Sequence, residues 1–328
     1  MEEIVLKKII SMLAIFFVST LIGMADTLNE ALSFYNKGDY DSAIKLLKPL
    51  AEQGNAEAQL RLGICFVAKG DYDSAIKWLK PLAEQGNTEA QLWLGLCFFS
   101  KDDCDSAIKW LKPLAEQGNV EAQLRLGICF VAKGDYDSAI KWLKPLAEQG
   151  NTEAQLWLGL CFFSKDDCDS AIKWLKPLAE QGNVEAQLRL GICFVAKGDY
   201  DSAIKWLKPF AEQGNVEVQI ELGRCFLGKC DYGNAIKWLK PLAEQGNADA
   251  QLLLGVCFIE KGDYDSAIKL LKPLAEQGNT VAQFALGKCF FEKCDYDNAI
   301  KWLKPFAEQG NVAAQNWLKQ CLIHSKRK

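Results

Sequence analysis

The stretch Ala51-Glu52-Gln53-Gly54-Asn55 recurs unchanged along the chain, and each copy begins 32 residues after the previous one. The nine copies begin at Ala51, Ala83, Ala115, Ala147, Ala179, Ala211, Ala243, Ala275 and Ala307. A strict period of roughly 20–50 residues indicates stacked supersecondary units. It predicts that this 328-residue chain grows linearly, without one central core.

One unit, from Asn55 to Gly86, has the pattern of a helical hairpin. Asn55 is a favourable N-cap, and the mostly apolar residues after it predict a first helix packed between neighbours. Gly70-Asp71 interrupts this helix, and a second, amphipathic helix follows until Gly86. Gly63 lacks a side chain, which predicts close approach of the two helices.

The chain therefore contains nine second helices, from about 40–50 to about 296–309, and ten first helices. The last first helix, over residues 312–323, has no following partner and is more polar, as a terminal cap requires. The predicted fold is an all-α solenoid of stacked helical hairpins with a 32-residue period.

Composition narrows the function classes. The net charge is −4 and the pI is 5.4, and no basic stripe recurs with the repeat, so the sequence argues against nucleic-acid binding. The basic tail over residues 324–328 is interpreted as a solvated chain end.

The first 25 residues do not follow the repeat. Two lysines precede an apolar run over residues 9–24, and small residues stand at the −3 and −1 positions of a junction before Asp26. This layout predicts a signal peptide over residues 1–25, cleaved before Asp26, and an exported protein, periplasmic or secreted, without a further membrane segment. The alternative is an uncleaved N-terminal membrane anchor, for which the apolar run is short.

The spacing of small and aromatic residues within the unit resembles a known repeat family. The pattern reads Ala58-x3-Leu62-Gly63-x2-Phe66, then Ala75-x2-Trp78-x4-Ala83-x2-Gly86. It is similar to the Sel1-like repeat, a relative of the tetratricopeptide repeat, and the resemblance covers the repeat region over residues 26–323. The resemblance implies a right-handed superhelix that serves as a scaffold for protein–protein contacts, with no shared catalytic residues. The unit is shorter than a typical Sel1-like unit, so the pitch of that superhelix does not carry over.

The resemblance also implies where a partner binds, because first helices line the concave groove of tetratricopeptide-like hairpins. One groove position alternates between arginine and tryptophan, the residue types most enriched in interface hot spots. We predict a protein or peptide partner, held by Arg61, Ile64, Trp93, Leu96, Phe99, Arg125, Trp157, Phe163 and Arg189. The alternative is that these side chains pack against the adjacent first helix, with arginine reaching solvent. After Arg189 the position changes to Glu221, Leu253 and Ala285, which favours the N-terminal half as the binding surface.

Nine of the thirteen cysteines, from Cys65 to Cys321, hold one position of the first helix. Equivalent atoms of adjacent repeats should lie about 10 Å apart, too far for a bridge, so these cysteines are interpreted as small buried apolar residues. The other four lie near the hairpin turn. Candidate disulfides that would close a hairpin are Cys97–Cys104 and Cys161–Cys168, with Cys225–Cys230 and Cys289–Cys294 as alternatives.

Signals for catalysis or metal binding are weak. The chain has no C-x2-C spacing, and its only histidine is His324, so neither a metal nor a cofactor is predicted. Ser74-Ala75-Ile76-Lys77 fits the S-x-x-K motif of β-lactamases and penicillin-binding proteins, but S-D-N and K-T-G are absent. The leading hypothesis is a non-enzymatic exported scaffold that binds a protein partner. The alternatives are a penicillin-recognising enzyme and a purely structural spacer in the cell envelope.

Overall fold

The computed structural model describes residues 23–325, and this part of the chain contains nineteen helices, α1 to α19, and no strands. The first helices are α1 (23–36), α3 (Ala56–Ala68), α5 (Thr88–Ser100), α7 (Val120–Ala132), α9 (Thr152–Ser164), α11 (Val184–Ala196), α13 (Val216–Gly228), α15 (Ala248–Glu260), α17 (Thr280–Glu292) and α19 (Val312–Ser325). The second helices are α2 (Tyr40–Glu52), α4 (Tyr72–Glu84), α6 (Cys104–Glu116), α8 (Tyr136–Glu148), α10 (Cys168–Glu180), α12 (Tyr200–Glu212), α14 (Tyr232–Glu244), α16 (Tyr264–Glu276) and α18 (Tyr296–Glu308). The predicted all-α repeat of helical hairpins is confirmed.

The helices belong to two compact units, one that ends at Lys165 and one that begins at Asp166. The first unit contains α1 to α9, and the second contains α10 to α19. Within each unit, every helix packs against the helices that precede and follow it in the chain.

The local sequence signals for helix ends act as expected. The Asn55 side chain accepts a hydrogen bond from the backbone N–H three residues later at 2.9 Å, and the Asp71 carboxylate does the same at 3.1 Å. Gly70 and Gly86 end the two helices with φ of +75° and +90°, a left-handed conformation that suits glycine. Each helix of the unit therefore begins and ends at residues that its own sequence specifies.

Four turns have a non-glycine residue in this left-handed conformation. They are Asp102, Asp166, Cys230 and Cys294, with φ between 57° and 59°. Aspartate tolerates this conformation better than most side chains because it can hydrogen-bond locally, whereas cysteine has no such compensation. The turns at Cys230 and Cys294 are therefore the strained ones of the second unit.

In most hairpins a glycine of the first helix faces a leucine of the second helix, whereas α1 has the buried Ala31 at this position. A Cβ atom added to Gly127 of α7 would lie 2.6 Å from Cγ of Leu143 in α8, closer than any real side chain approaches. The same relation joins Gly63 to Leu79, Gly95 to Leu111, Gly191 to Leu207, Gly223 to Leu239, Gly255 to Leu271 and Gly287 to Leu303. This confirms the close approach that the sequence predicts at Gly63, and it fixes the separation of the helices.

A side-chain hydrogen bond joins each hairpin to the next. The amide of Gln91 in α5 donates to the carbonyl oxygen of Ala83 in α4 at 3.0 Å. Ala83 lies in the last turn of its helix, where carbonyl groups lack a partner within the helix. The same bond recurs in each repeat from Gln59 to Gln315. It explains why glutamine always stands four residues after the asparagine cap.

The apolar core runs from each second helix into the following first helix. One cluster combines Leu111 of α6 with Leu126 and Cys129 of α7, and Trp142 of α8 packs against its edge. The nine first-helix cysteines are buried, as predicted, and burial raises the pKa of Cys97, for example, to about 12. They remain neutral thiols and fill space in the core.

The predicted leader over residues 1–25 lies mostly outside the described residues, as do residues 326–328 of the tail. Helix α1 is described from Gly23 and continues through the predicted cleavage junction before Asp26. Met24 packs against the apolar cluster that contains Leu47 of α2 and Leu62 of α3. Among the described helices, none combines the length and the apolar character that crossing a membrane requires.

We expect Gly127→Ala to lower the free energy of unfolding by about 1–3 kcal/mol, because the new methyl group would overlap Leu143. The matched control is Gly233→Ala at the start of α14, where a Cβ would meet only Asp231 at 3.7 Å. That change should raise the stability by about 0.4–1 kcal/mol, through a less flexible unfolded chain. Guanidinium unfolding followed by circular dichroism measures both, and an unchanged midpoint for Gly127→Ala would contradict the role of the glycine.

Candidate partner-binding face

Four side chains at equivalent positions of successive first helices form a row in the first unit. They are Arg61 of α3, Trp93 of α5, Arg125 of α7 and Trp157 of α9, and all four are partly exposed. We call this row, with the side chains that contact it, the first-helix face.

Arg61 connects three consecutive first helices. Its Nε donates to Oε1 of Glu57 in its own helix at 2.7 Å, and its Nη1 donates to Oε1 of Glu89 in α5 at 3.0 Å. The guanidinium also lies over the ring of Tyr35 in α1, 5.9 Å from the ring centre. The side chain keeps 25% of its surface exposed, so it is held in place and still accessible.

Arg125 repeats this arrangement two hairpins later. It donates to Glu121 of its own helix and to Glu153 of α9, both at 2.7 Å, and it lies 5.4 Å from the ring centre of Phe99. Charge-assisted hydrogen bonds to two separate carboxylates restrict an arginine more than a single ion pair does. Each arginine is therefore fixed between an aromatic ring of the preceding first helix and an acid of the following one.

The sequence analysis missed these glutamates. Glu57 and Glu121 stand four residues before their arginines, a spacing that by itself indicates an ion pair on a helix. Glu89 and Glu153 lie 28 residues after Arg61 and Arg125, and only the packing of successive hairpins brings them together.

The remaining predicted residues are placed differently. Trp93 packs against the apolar cluster of α3 to α5 and stays partly exposed, and Leu96 and Phe99 are partly exposed as well. Ile64 belongs to that cluster with 4% of its surface exposed, so the structure places it in the core, because its side chain turns towards Leu79 and Leu94. It is not available to a partner.

Phe163 and Arg189, the last predicted residues, are partly exposed. Arg189 donates to Glu185 of its own helix at 2.7 Å, as Arg61 and Arg125 do to their glutamates. The second unit thus contains an arginine–glutamate pair of the same kind.

A cavity of about 390 Å³ lies where the alternation of arginine and tryptophan ends, within the second unit. Leu188, Ile192 and Val218 line it, together with Arg189, Glu221 and Arg224. Glu221 occupies the position of Trp93 and Trp157, and it turns to Arg224 at 3.4 Å. The sequence favours the N-terminal half as the binding surface. In the second unit, however, Glu221 replaces a large aromatic side chain, and a concavity is present beside it.

The S-x-x-K serines serve helix capping. The backbone N–H and the hydroxyl of Ser74 both donate to the Asp71 carboxylate, and these bonds lower the pKa of Asp71 below its usual value. The Lys77 ammonium lies 6.0 Å from the ring centre of Trp78. Within the described residues, no hydrogen bond connects a serine of this motif to its lysine.

All thirteen cysteines are free thiols in this structure. The hairpin-closing bridges Cys97–Cys104 and Cys161–Cys168 remain predictions, and Cys104 packs against the cluster that contains Cys129. Over residues 23–325, no group of three or more histidine, cysteine, aspartate or glutamate side chains is arranged to hold a metal ion.

Stacked hairpins in which each repeat contributes one side chain to a common row form a helical-repeat scaffold. Tetratricopeptide repeat models match residues 35–96, 121–144, 185–208, 232–285 and 261–314, and the Sel1 repeat model matches residues 88–119 and 152–183. The chain therefore contains repeats that match both the Sel1 and the tetratricopeptide repeat models. These repeats form a non-enzymatic scaffold family whose members bind protein partners.

Among solved structures, the chain is similar to c5321, described as a protective antigen present in uropathogenic Escherichia coli strains and displaying an SLR fold. The two are 27% identical over 92% of this chain and 73% of that chain, with a TM-score of 0.57. MamA is 24% identical over 49% of this chain and 94% of its own, but its TM-score of 0.45 is too low to support an argument. No curated protein matches the sequence significantly.

We expect the full chain to leave the β-lactam probe nitrocefin unhydrolysed, and Ser138→Ala to behave identically, because Ser138 serves only as a donor to Asp135, the N-cap of α8. The same variant should lower the thermal midpoint slightly, through the lost hydrogen bond. An absorbance assay with a β-lactamase as positive control measures turnover. Hydrolysis by the wild type that is lost in the variant would show that the serine is a nucleophile.

Proposed function

We propose that the protein is an exported scaffold that binds an extended segment of a protein partner along the first-helix face. The observation that carries the proposal is the fixed alternation of Arg61, Trp93, Arg125 and Trp157, in which neighbouring glutamates immobilise both arginines. Side chains that are already ordered lose little entropy when a partner binds.

The spacing of the row fits an extended peptide. Successive first helices lie about 10 Å apart, the diameter of a helix. An extended chain advances about 3.3 Å per residue, so one repeat corresponds to about three partner residues. Equivalent contacts then recur at every third residue of the partner, and the two tryptophans contact positions about six residues apart.

The charge of the face indicates which peptide it would accept. Every arginine of the row is flanked by a glutamate of its own helix, and Glu89 and Glu153 precede the tryptophans. These glutamates keep about 44–45% of their side-chain surface exposed. The acids outnumber the arginines, so the face favours a segment in which apolar residues alternate with basic ones.

The export half of the proposal rests on the N-terminal sequence. Lysines followed by an apolar run and small residues before Asp26 are typical of a cleaved signal peptide. We expect the protein recovered from the periplasm or medium of its expressing bacterium to begin at Asp26. Intact-mass measurement tests this, and a membrane-bound protein that retains residues 1–25 would establish the anchored alternative.

The partner-binding half is tested by placing a photoreactive benzoylphenylalanine at position 93, which keeps an aromatic ring where Trp93 packs. The matched control carries the same group at Lys80, an exposed position of the neighbouring second helix α4. Both proteins are irradiated with envelope extract and with host-surface extract, after circular dichroism confirms that they are folded. We expect one adduct that forms from position 93 and not from position 80.

Adducts from position 80 alone would place the partner on the second helices and contradict the proposal. Adducts from neither position, in either extract, would favour the spacer hypothesis. High salt should weaken the specific adduct, because screening reduces the attraction of the glutamates for a basic segment.

A further inference from the structure

Two cysteines lie close together where the start of α6 packs against α7 of the next hairpin. Cys104 is the first residue of α6 and is partly exposed, and Cys129 lies in α7 with no exposed surface. Cys129 belongs to the cluster around Leu111 and Leu126, and Cys104 packs against that cluster; burial and the neighbouring Cys104 thiol raise the pKa of Cys129. The contact therefore joins the second helix of one hairpin to the first helix of the following hairpin.

The second unit contains the same pair. Cys168 is the first residue of α10 and Cys193 lies in α11, and burial together with the neighbouring Cys168 thiol raises the pKa of Cys193 to about 12. In the other seven second helices a tyrosine begins the helix, as Tyr72 does beside the cluster that contains Cys97. Only at Cys104 and Cys168 does a second sulfur replace the tyrosine that faces the buried first-helix cysteine. Cys230 and Cys294 differ, because they lie exposed in the turn and a tyrosine, Tyr232 or Tyr296, still begins the helix that follows.

We propose that Cys104–Cys129 and Cys168–Cys193 are two redox-active pairs, each of which forms a disulfide that links one hairpin to the next. This pairing differs from the hairpin-closing bridges that the sequence spacing favours. It connects residues 25 apart, so it constrains a long stretch of the unfolded chain, whereas a bridge within C-x6-C constrains only the turn.

The oxidant is a disulfide of low molecular mass or a protein disulfide, and the reaction is thiol–disulfide exchange. The more exposed Cys104 loses its proton and attacks one sulfur of the donor disulfide, which releases the first donor thiolate. Cys129 then loses its proton and attacks the Cys104 sulfur, which forms the bridge and releases the second donor thiolate. Two cysteine thiols are oxidised and one donor disulfide is reduced to two thiols. The two sulfurs approach to about 2.05 Å in this step.

The direct test is peptide mapping of the full chain after incubation with glutathione disulfide and alkylation of free thiols. Trypsin releases Cys104 in peptide 102–109 and Cys129 in peptide 126–133, and the identical peptides 166–173 and 190–197 carry Cys168 and Cys193. We expect these two peptides linked. A link between peptide 102–109 and peptide 78–101, which carries Cys97, would overturn the proposal in favour of hairpin closure.

Cys65 provides a matched control, because peptide 62–69 is identical to peptide 126–133, while Cys65 shares its cluster with Tyr40. The linked product should persist in Cys65→Ser and disappear in Cys129→Ser/Cys193→Ser. Persistence in the double variant, or glutathione adducts without any link, would overturn the proposal.

A second measurement avoids replacing a buried cysteine with serine, a change that by itself destabilises the core. Cys104→Tyr/Cys168→Tyr restores the residue that begins the other second helices, so the variant is expected to fold. Oxidised wild type should melt at a higher temperature than reduced wild type, and this difference should vanish in the tyrosine variant. A redox-dependent shift of equal size in both proteins would contradict the assignment.

Discussion

The contact between a first-helix glycine and a second-helix leucine is the constraint on which the rest of the structure depends. At Gly127 and the equivalent glycines, the leucine opposite already fills the space that a Cβ would take. The helix axes of these hairpins are thereby held at one separation, and each of them presents nearly the same surface to the next. A regular array of side chains on the first helices follows from this regularity.

Bonds between hairpins translate that regularity into a surface. The Gln91 amide reaches the Ala83 carbonyl, and Lys165 pairs with Asp137 of the preceding hairpin at 2.6 Å. Exposed pairs of this kind contribute little stability, about 0–1 kcal/mol, so their effect lies mainly in fixing the register of neighbouring repeats. With the register fixed, Arg61 and Arg125 each reach an acid of the following hairpin. The first-helix face is thus a consequence of how the repeats stack.

The sequence alone is sufficient for the local structure. The period, the Asn55 and Asp71 caps and the glycine turns each act over a few residues, and the helix bounds agree with them. The exposure of single side chains depends on the neighbouring repeat, and there the sequence analysis fails. The helical spacing of Ile64 and Arg61 from neighbouring apolar residues does not decide which of the two is buried. Only the packing of successive repeats shows that Ile64 lies in the core and that Arg61 is held at the surface. The cysteine that neighbours Cys104 is likewise hidden from the sequence, because Cys97 is nearer along the chain whereas Cys104 packs against the cluster that contains Cys129.

The central claim is that the first helices, and not the second, contact the partner, and the chain carries tryptophans on both. Trp93 and Trp157 lie on first helices, whereas Trp78 and Trp142 lie on second helices beside the preceding core. Oxidative footprinting of these tryptophans, with and without the captured partner, compares the two sets in one protein. The account predicts that the partner protects Trp93 and Trp157 and leaves the reactivity of Trp78 and Trp142 unchanged. Protection of the second-helix tryptophans alone would contradict it.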